Sequence, residues 1–174
     1  MNADTTPSPP QGQRAGVRGR TGVLSLQGGF GAHLRANPGA IEVRCPADLE
    51  RCDALILPGG ESTTQHQLIG LGGLGEPLNA FVRSGKPVFA TCAGLILAAR
   101  YRWLDVDVTR NAYGRQLDSF VTHDDSGTRR LVFIRAPRIE EVGPQVEVLA
   151  TLKGEPVLVR QGNVTGACYH PELE

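Results

Sequence analysis

Lysine is nearly missing from this sequence. Lys86 and Lys153 are the only two, and arginine supplies the rest of the eighteen basic residues. Eighteen acidic residues balance them, so the formal net charge is zero. A neutral chain lacks the electrostatic footprint of a nucleic-acid binder or a polybasic membrane patch. No apolar run approaches the roughly 20 residues that cross a bilayer, so no membrane span is expected. The first 20 residues, "MNADTTPSPPQGQRAGVRGR", lack the apolar centre of a secretory signal. They are rich in Pro, Gly, Ser and Thr, which predicts a disordered tail over 1–20 ahead of one domain over 21–174. A cytoplasmic location is the corresponding expectation. The four cysteines, Cys45, Cys52, Cys92 and Cys168, contain no C-x-x-C pair. That spacing excludes a zinc knuckle or a dithiol redox motif. Reduced thiols are the cytoplasmic default, and most should be small buried hydrophobes.

What is present is a run of short apolar segments. "GVLSLQ" (22–27), "IEVR" (41–44), "DALILPGG" (53–60) and "PVFAT" (87–91) read as strands. "GGFGAHLRAN", "ESTTQHQLIGLG", "EPLNAFVRSG" and "AGLILAAR" read as helices between and after them. Strands with little polar alternation imply a parallel sheet covered on both faces. After Trp103 the pattern becomes strand, turn, strand: "LDVDVT", "RQLDSFVT", "RRLVFIRAP", "VEVLAT", "EPVLVR" and "TGACYH". The expected fold is α/β, three layers (α/β/α) around a mixed, mostly parallel sheet, flavodoxin-like, with the second half completing the sheet.

Ligands of open α/β sheets gather beyond the C-terminal ends of strands. Three segments end there with unusual chemistry: "LQGG", "LPGGES" and "ATCAG". Cys92 stands on the corner between a strand and a helix, the geometry of a nucleophile elbow. A helix N-terminus favours a thiolate, and its free amides can face an oxyanion. A buried structural cysteine is the other reading. A nucleophilic thiol needs a base, and the base an orienting group. His33, His66 and His123 read as ordinary surface residues. His170 ends the last strand, Pro171 favours extended backbone before it, and Glu172 can approach the far nitrogen of its imidazole. "LPGGES" offers backbone amides at Gly59 or Gly60 as a second oxyanion donor, or is a plain strand-to-helix turn. Arg110 and Arg135 fit either a carboxylate fork or surface strand charges.

"LQGGFGAHL", "LILPGGESTT", "GKPVFATCAGLIL", "VTRNAYGRQLDSF", "VFIRAPRIEEVGPQVEVLA" and "VRQGNVTGACYHPEL" occur in that order and span nearly all of the chain after residue 20. Together they resemble the triad (class I) glutamine amidotransferases, and within them the glutaminase subunits of pyridoxal 5'-phosphate synthase. The resemblance implies Cys92 as nucleophile, His170 as base and acid, and Glu172 as orienting carboxylate. It implies an oxyanion hole from Gly59, Gly60 and Ala93, and glutamine contacts at Gly60, Glu61, Ser62, Arg110, Ile134 and Arg135. It makes Gln27 the residue that helps complete the site when the partner docks. The implied reaction is hydrolysis of L-glutamine through a cysteine thioester, without metal or organic cofactor. The implied partner is a (β/α)8-barrel synthase, in assemblies of up to twelve subunits of each kind. The segments after Gln27, after Arg100 and near Asp125 are shorter than the family pattern, and the pattern's final helix after "HPEL" is absent. Another ammonia acceptor, a related α/β thiol hydrolase, and a non-catalytic subunit are the alternatives.

Overall fold

The structure, a computed structural model, describes residues 19–112 and 119–173. The expected tail lies outside these residues apart from Gly19 and Arg20, as do residues 115–118 of the expected strand "RQLDSFVT". The first half alternates strand and helix: β1 (Thr21–Leu24), α1 (Phe30–Ala36), β2 (Ile41–Val43), α2 (Pro46–Glu50), β3 (Ala54–Leu57), α3 (Ser62–Leu71), α4 (Gly75–Arg83), β4 (Val88–Thr91) and α5 (Ala93–Arg100). The second half holds β5 (Val106–Thr109), β6 (Phe120–His123), β7 (Arg130–Phe133), β8 (Arg138–Val142), β9 (Glu147–Leu152), β10 (Glu155–Gln161), β11 (Val164–Ala167) and a 3-10 turn, Pro171–Leu173.

Seven strands form the main sheet in the order β2-β1-β3-β4-β11-β10-β9. The first five are parallel, and β10 and β9 add an antiparallel edge. The sequence dictates this through its unbroken apolar runs. Leu55, Ile56 and Leu57 are consecutive and all buried, which requires cover on both faces of the sheet. Burying each such side chain stabilises by about 1.5–3 kcal/mol. The chain leaves β1 outward to β2 and returns across it to β3. The loops after β1 and β3 therefore flank a topological switch point, where open α/β sheets bind their ligands.

The second half departs from expectation. Only β9, β10 and β11 join the main sheet; β5 pairs with β8, and β6 with β7, in two small antiparallel sheets. Their sequences explain the difference. β5 alternates half-buried and exposed residues, and β6 is largely exposed. Neither has the two apolar faces a central strand needs. α2 was not expected either. Its start is fixed by the Asp48 carboxylate, which accepts the amides of Arg44 and Cys45 at 3.0 and 3.2 Å and the Cys45 thiol at 3.2 Å. That pairing holds Cys45 at the surface, so it is not a buried hydrophobe. Cys52, Cys92 and Cys168 are buried, and all four thiols are free.

α5 approaches the sheet closely at Gly94, where an added Cβ would lie 2.2 Å from the carbonyl oxygen of Leu57. Backbone on both sides leaves no side chain to yield. Gly70, by contrast, has open space around its Cβ position in α3. Gly94→Ala should therefore destabilise by about 1–3 kcal/mol, and Gly70→Ala should stabilise by about 0.5–1 kcal/mol. Denaturant melts of the two variants check the opposite signs; equal effects would contradict the packing described.

Candidate active site

Cys92 lies between β4 and α5 with φ 49° and ψ −107°. A non-glycine residue in that region costs about 1–3 kcal/mol, and the surrounding ladder imposes it. The Cys92 amide donates to the Ala167 carbonyl at 2.9 Å, extending the β4–β11 pairing by one residue. Its own carbonyl accepts the amides of Leu95 and Ile96 at 3.1 and 3.3 Å, which starts α5. The side chain is thereby turned out of the sheet at the helix N-terminus. The Ala93 N–H, first in the helix, has no intrahelical acceptor.

β11 runs parallel to β4 with Ala167 opposite Thr91. The residues after β11 consequently emerge beside Cys92, however far apart they are in sequence. His170 is anchored by its amide on the Val132 carbonyl at 2.9 Å. Its Nδ1 bonds Glu172 Oε1 at 2.8 Å, and the ring stands beside Cys92 against the backbone of Gly59. Burial opposes the imidazolium, but the hydrogen bonds and charges of Cys92 and Glu172 outweigh it and push His170 up to about 10. Burial likewise works to raise Glu172. The hydrogen bond from His170, with His33 and His170 nearby, holds its carboxyl below the ordinary value. Cys92, His170 and Glu172, the three residues expected to act together, thus lie side by side.

The glycine loop after β3 closes the other side. A Cβ on Gly59 would lie 2.6 Å from His170 Cε1 and 3.3 Å from Cys92 Cβ, so only glycine fits. The Gly59 carbonyl accepts the Gly29 amide at 2.9 Å. Gln27 braces the same loop: its Oε1 accepts the Glu61 amide at 2.8 Å, and its carbonyl accepts Gln65 Nε2 at 3.0 Å. Together these segments enclose a cleft of about 260 Å³. Gln27, Gly59, Gly60, Glu61, Ser62, Cys92, Ala93, Arg110, Ile134, Arg135 and His170 all line it. Glu172 stands behind His170, its side chain only 3% exposed. At the mouth Arg135 Nη1 faces Glu61 Oε1 at 3.4 Å, and Arg110 Nη1 donates to Thr63 Oγ1 at 3.1 Å. The opposite charges expected to meet a substrate separately are thus paired with one another.

Several residues escaped the sequence reading. Ile96 and Asn111 line the cleft. Gln65 is buried and bonds the loop carbonyls of Gln27 and Pro58 at 3.0 and 3.2 Å. His33, expected at the surface, is 2% exposed. Its Nε2 lies 3.1 Å from Thr91 Oγ1 and 3.4 Å from Glu172 Oε2. α1 turns it inward because the helix packs against the C-terminal 3-10 turn. Among the described residues, no group of three His, Cys, Asp or Glu side chains could hold a metal ion, and no helix is long and apolar enough to cross a membrane.

With this geometry established, the likeness to known proteins is informative. Residues 23–174 match the SNO glutamine amidotransferase family. The chain belongs to that family. It is 49% identical to the pyridoxal 5'-phosphate synthase subunit PdxT of Corynebacterium jeikeium, over 87% of this chain and 88% of that one. The PdxT subunit of Thermoplasma volcanium is 43% identical, over 87% and 86%. A crystal structure described as a glutamine amidotransferase superposes with a TM-score of 0.81 at 42% identity, covering 88% of this chain and 90% of that one. An amidotransferase from Thermotoga maritima, 15% identical with a TM-score of 0.61 over 88% and 76%, shares the fold.

The electrostatics make a sign-specific prediction. His170 is raised above its ordinary 6.5. Its stabilising contribution is complete below pH 6.5 and is lost as pH rises through about 10. NMR titration of the imidazole should show protonation persisting well above neutrality. Glu172→Gln removes one of the charges that sustain it and should lower the midpoint. A midpoint near 6.5 in the unaltered protein contradicts the relay.

Proposed function

We propose that the chain hydrolyses L-glutamine to L-glutamate and ammonia and delivers the ammonia to a synthase making pyridoxal 5'-phosphate. The observation that carries this reading is the strained Cys92 elbow set beside an imidazole whose Nδ1 is held by a buried carboxylate. The fold-family match and the names of the PdxT relatives support the substrate and the acceptor.

The steps follow from the groups present. The Cys92 thiolate attacks the side-chain carboxamide carbon, and the carbonyl electrons move to oxygen. That oxyanion faces backbone amides of the Gly59–Gly60 loop and Ala93. As the intermediate collapses, the C–N bond breaks and His170 gives its proton to the departing nitrogen, which leaves as ammonia. A γ-glutamyl thioester remains. His170, now neutral, takes a proton from water as the water oxygen attacks the thioester; the C–S bond breaks and glutamate is released. Glu172 keeps the imidazole oriented and stabilises its charged form. Arg110 and Arg135 hold the substrate α-carboxylate, Glu61 its ammonium group, and Gly60, Ser62 and Ile134 its backbone side. Binding then exchanges the Arg135–Glu61 pair for two pairs with the zwitterion.

Free ammonia is mostly protonated near neutral pH and is then no nucleophile, so direct transfer is favoured. The acceptor we infer is a (β/α)8-barrel synthase subunit, in a cytoplasmic assembly of up to twelve subunits of each kind. Gln27 couples docking to the site through the Glu61 amide it already grips. Residues 21–174 form the amidotransferase domain, and no cofactor takes part.

Cys92→Ala should lower glutamine-dependent synthesis by the complex more than about a thousandfold while leaving synthesis from added ammonium salts intact. Retained use of glutamine by that variant would refute the assignment. Loss of both activities would instead mean that the variant no longer docks, which gel filtration with the synthase detects.

A further inference from the structure

His33 is unused by the reaction just described, yet it is buried at the back of the same site. It projects from α1 to a point where three segments meet: the end of β4 at Thr91, the 3-10 turn at Glu172, and α1 itself. Glu172 Oε1 is occupied by His170. Glu172 Oε2 is buried and makes no full hydrogen bond, and the polar atom facing it is His33 Nε2 at 3.4 Å. A buried carboxylate oxygen without a donor is costly, so this contact bears on whether Glu172 stays charged and where it points.

We propose that His33 is a positioning residue of the catalytic set: its Nε2–H, shared between Thr91 Oγ1 and Glu172 Oε2, fixes the Glu172 carboxylate and ties it to the last residue of the nucleophile strand. The inference rests on the glutaminase reading, because it assigns His33 a part in that reaction.

The proton's place follows from the neighbours. Burial lowers the pKa of His33, Glu172 raises it and His170 lowers it, with a net fall. The ring is therefore neutral at and above neutral pH and carries one N–H. A bare Nε2 would set its lone pair against the carboxylate, so the proton sits on Nε2. Thr91 Oγ1, at 3.1 Å, accepts from the same N–H. The charged and titratable groups around Glu172 are few. His170 faces it from its own segment and His33 from α1. Cys92 lies beyond His170, and Arg130 on β7 reaches the Leu173 carbonyl at 3.4 Å. Removing the His33 donor takes away the ring nitrogen that faces the buried Oε2 at 3.4 Å. Glu172 then takes up a proton at higher pH, and a protonated Glu172 no longer sustains the His170 imidazolium. The consequence is directional: the acid limb of activity moves toward neutrality.

The test uses the full chain with its synthase and compares kcat/KM for glutamine against pH in the unaltered protein, His33→Leu and His33→Gln. His33→Leu should raise the acid limb by about one pH unit and lower kcat by up to about a hundredfold through misplacement of the relay. His33→Gln, whose carboxamide restores a donor near the Nε2 position, should bring the limb back. The pH dependence of Cys92 alkylation by iodoacetamide should move in parallel without any glutamine present. Should His33→Leu fail to fold, His33→Asn, with its donor too short to reach Oε2, carries the same expectation. An unmoved limb in both profiles, whether activity is full or merely reduced, overturns the proposal and makes His33 scaffold. Glutamine turnover that survives Cys92→Ala sinks the glutaminase reading itself, which is a separate outcome.

Discussion

A cysteine backbone at φ 49° persists only where its neighbours over-determine it, and three do so here. The β4–β11 ladder holds the Cys92 amide on the Ala167 carbonyl, the first turn of α5 holds its carbonyl, and Gly94 lets that helix press against the Leu57 carbonyl of β3. The strain is spread over the rigid centre of the sheet rather than over a loop. This is why the thiol can be aimed without mobile support. The neighbouring strand delivers His170 to the same place: Ala167 opposite Thr91 brings it alongside as a consequence of register.

Around that turn the site is arranged in depth. At the mouth, charges stand in partly exposed pairs, Arg135 with Glu61, where water screens them and exchange for a zwitterionic ligand costs little. In the middle, the thiol and imidazole meet at a wall of glycine backbone that admits no side chain. At the back, Glu172 and His33 are almost wholly enclosed. Low dielectric there strengthens each contact and makes an unmatched one costly. On the proposed reaction, the gradient from wet to dry puts binding at the front and proton control at the rear.

The parallel half of the fold was legible in the sequence because its central strands, as in "LILPGG" and "PVFAT", are short apolar runs with little polar alternation. The small sheets were not, because β5 alternates half-buried and exposed residues and β8 is mostly exposed, so neither shows which sheet it joins. Cys92, His170 and Glu172 could be found from local signals: a thiol at a strand–helix corner, and a His-Pro-Glu at a strand end. His33 could not. It is one histidine on a seven-residue helix, and its partners, Thr91 and Glu172, come together only when β4 and the C-terminal turn are in place. Gln65 escaped for the same reason, since its amide serves carbonyls of two separate loops. Cys45 ran opposite to its residue type because a nearby carboxylate at Asp48 holds its thiol at a helix start.

The central claim is that Cys92 forms a covalent bond to the substrate under the control of His170. Acid-quenching the complex during glutamine turnover, followed by peptide mass analysis, tests it most directly. The account predicts a single glutamyl adduct on the peptide containing Cys92, discharged by hydroxylamine, and formed far more slowly when His170 is replaced by a residue that cannot protonate the departing nitrogen. Turnover without any adduct, or an adduct on Cys45, Cys52 or Cys168 instead, contradicts it.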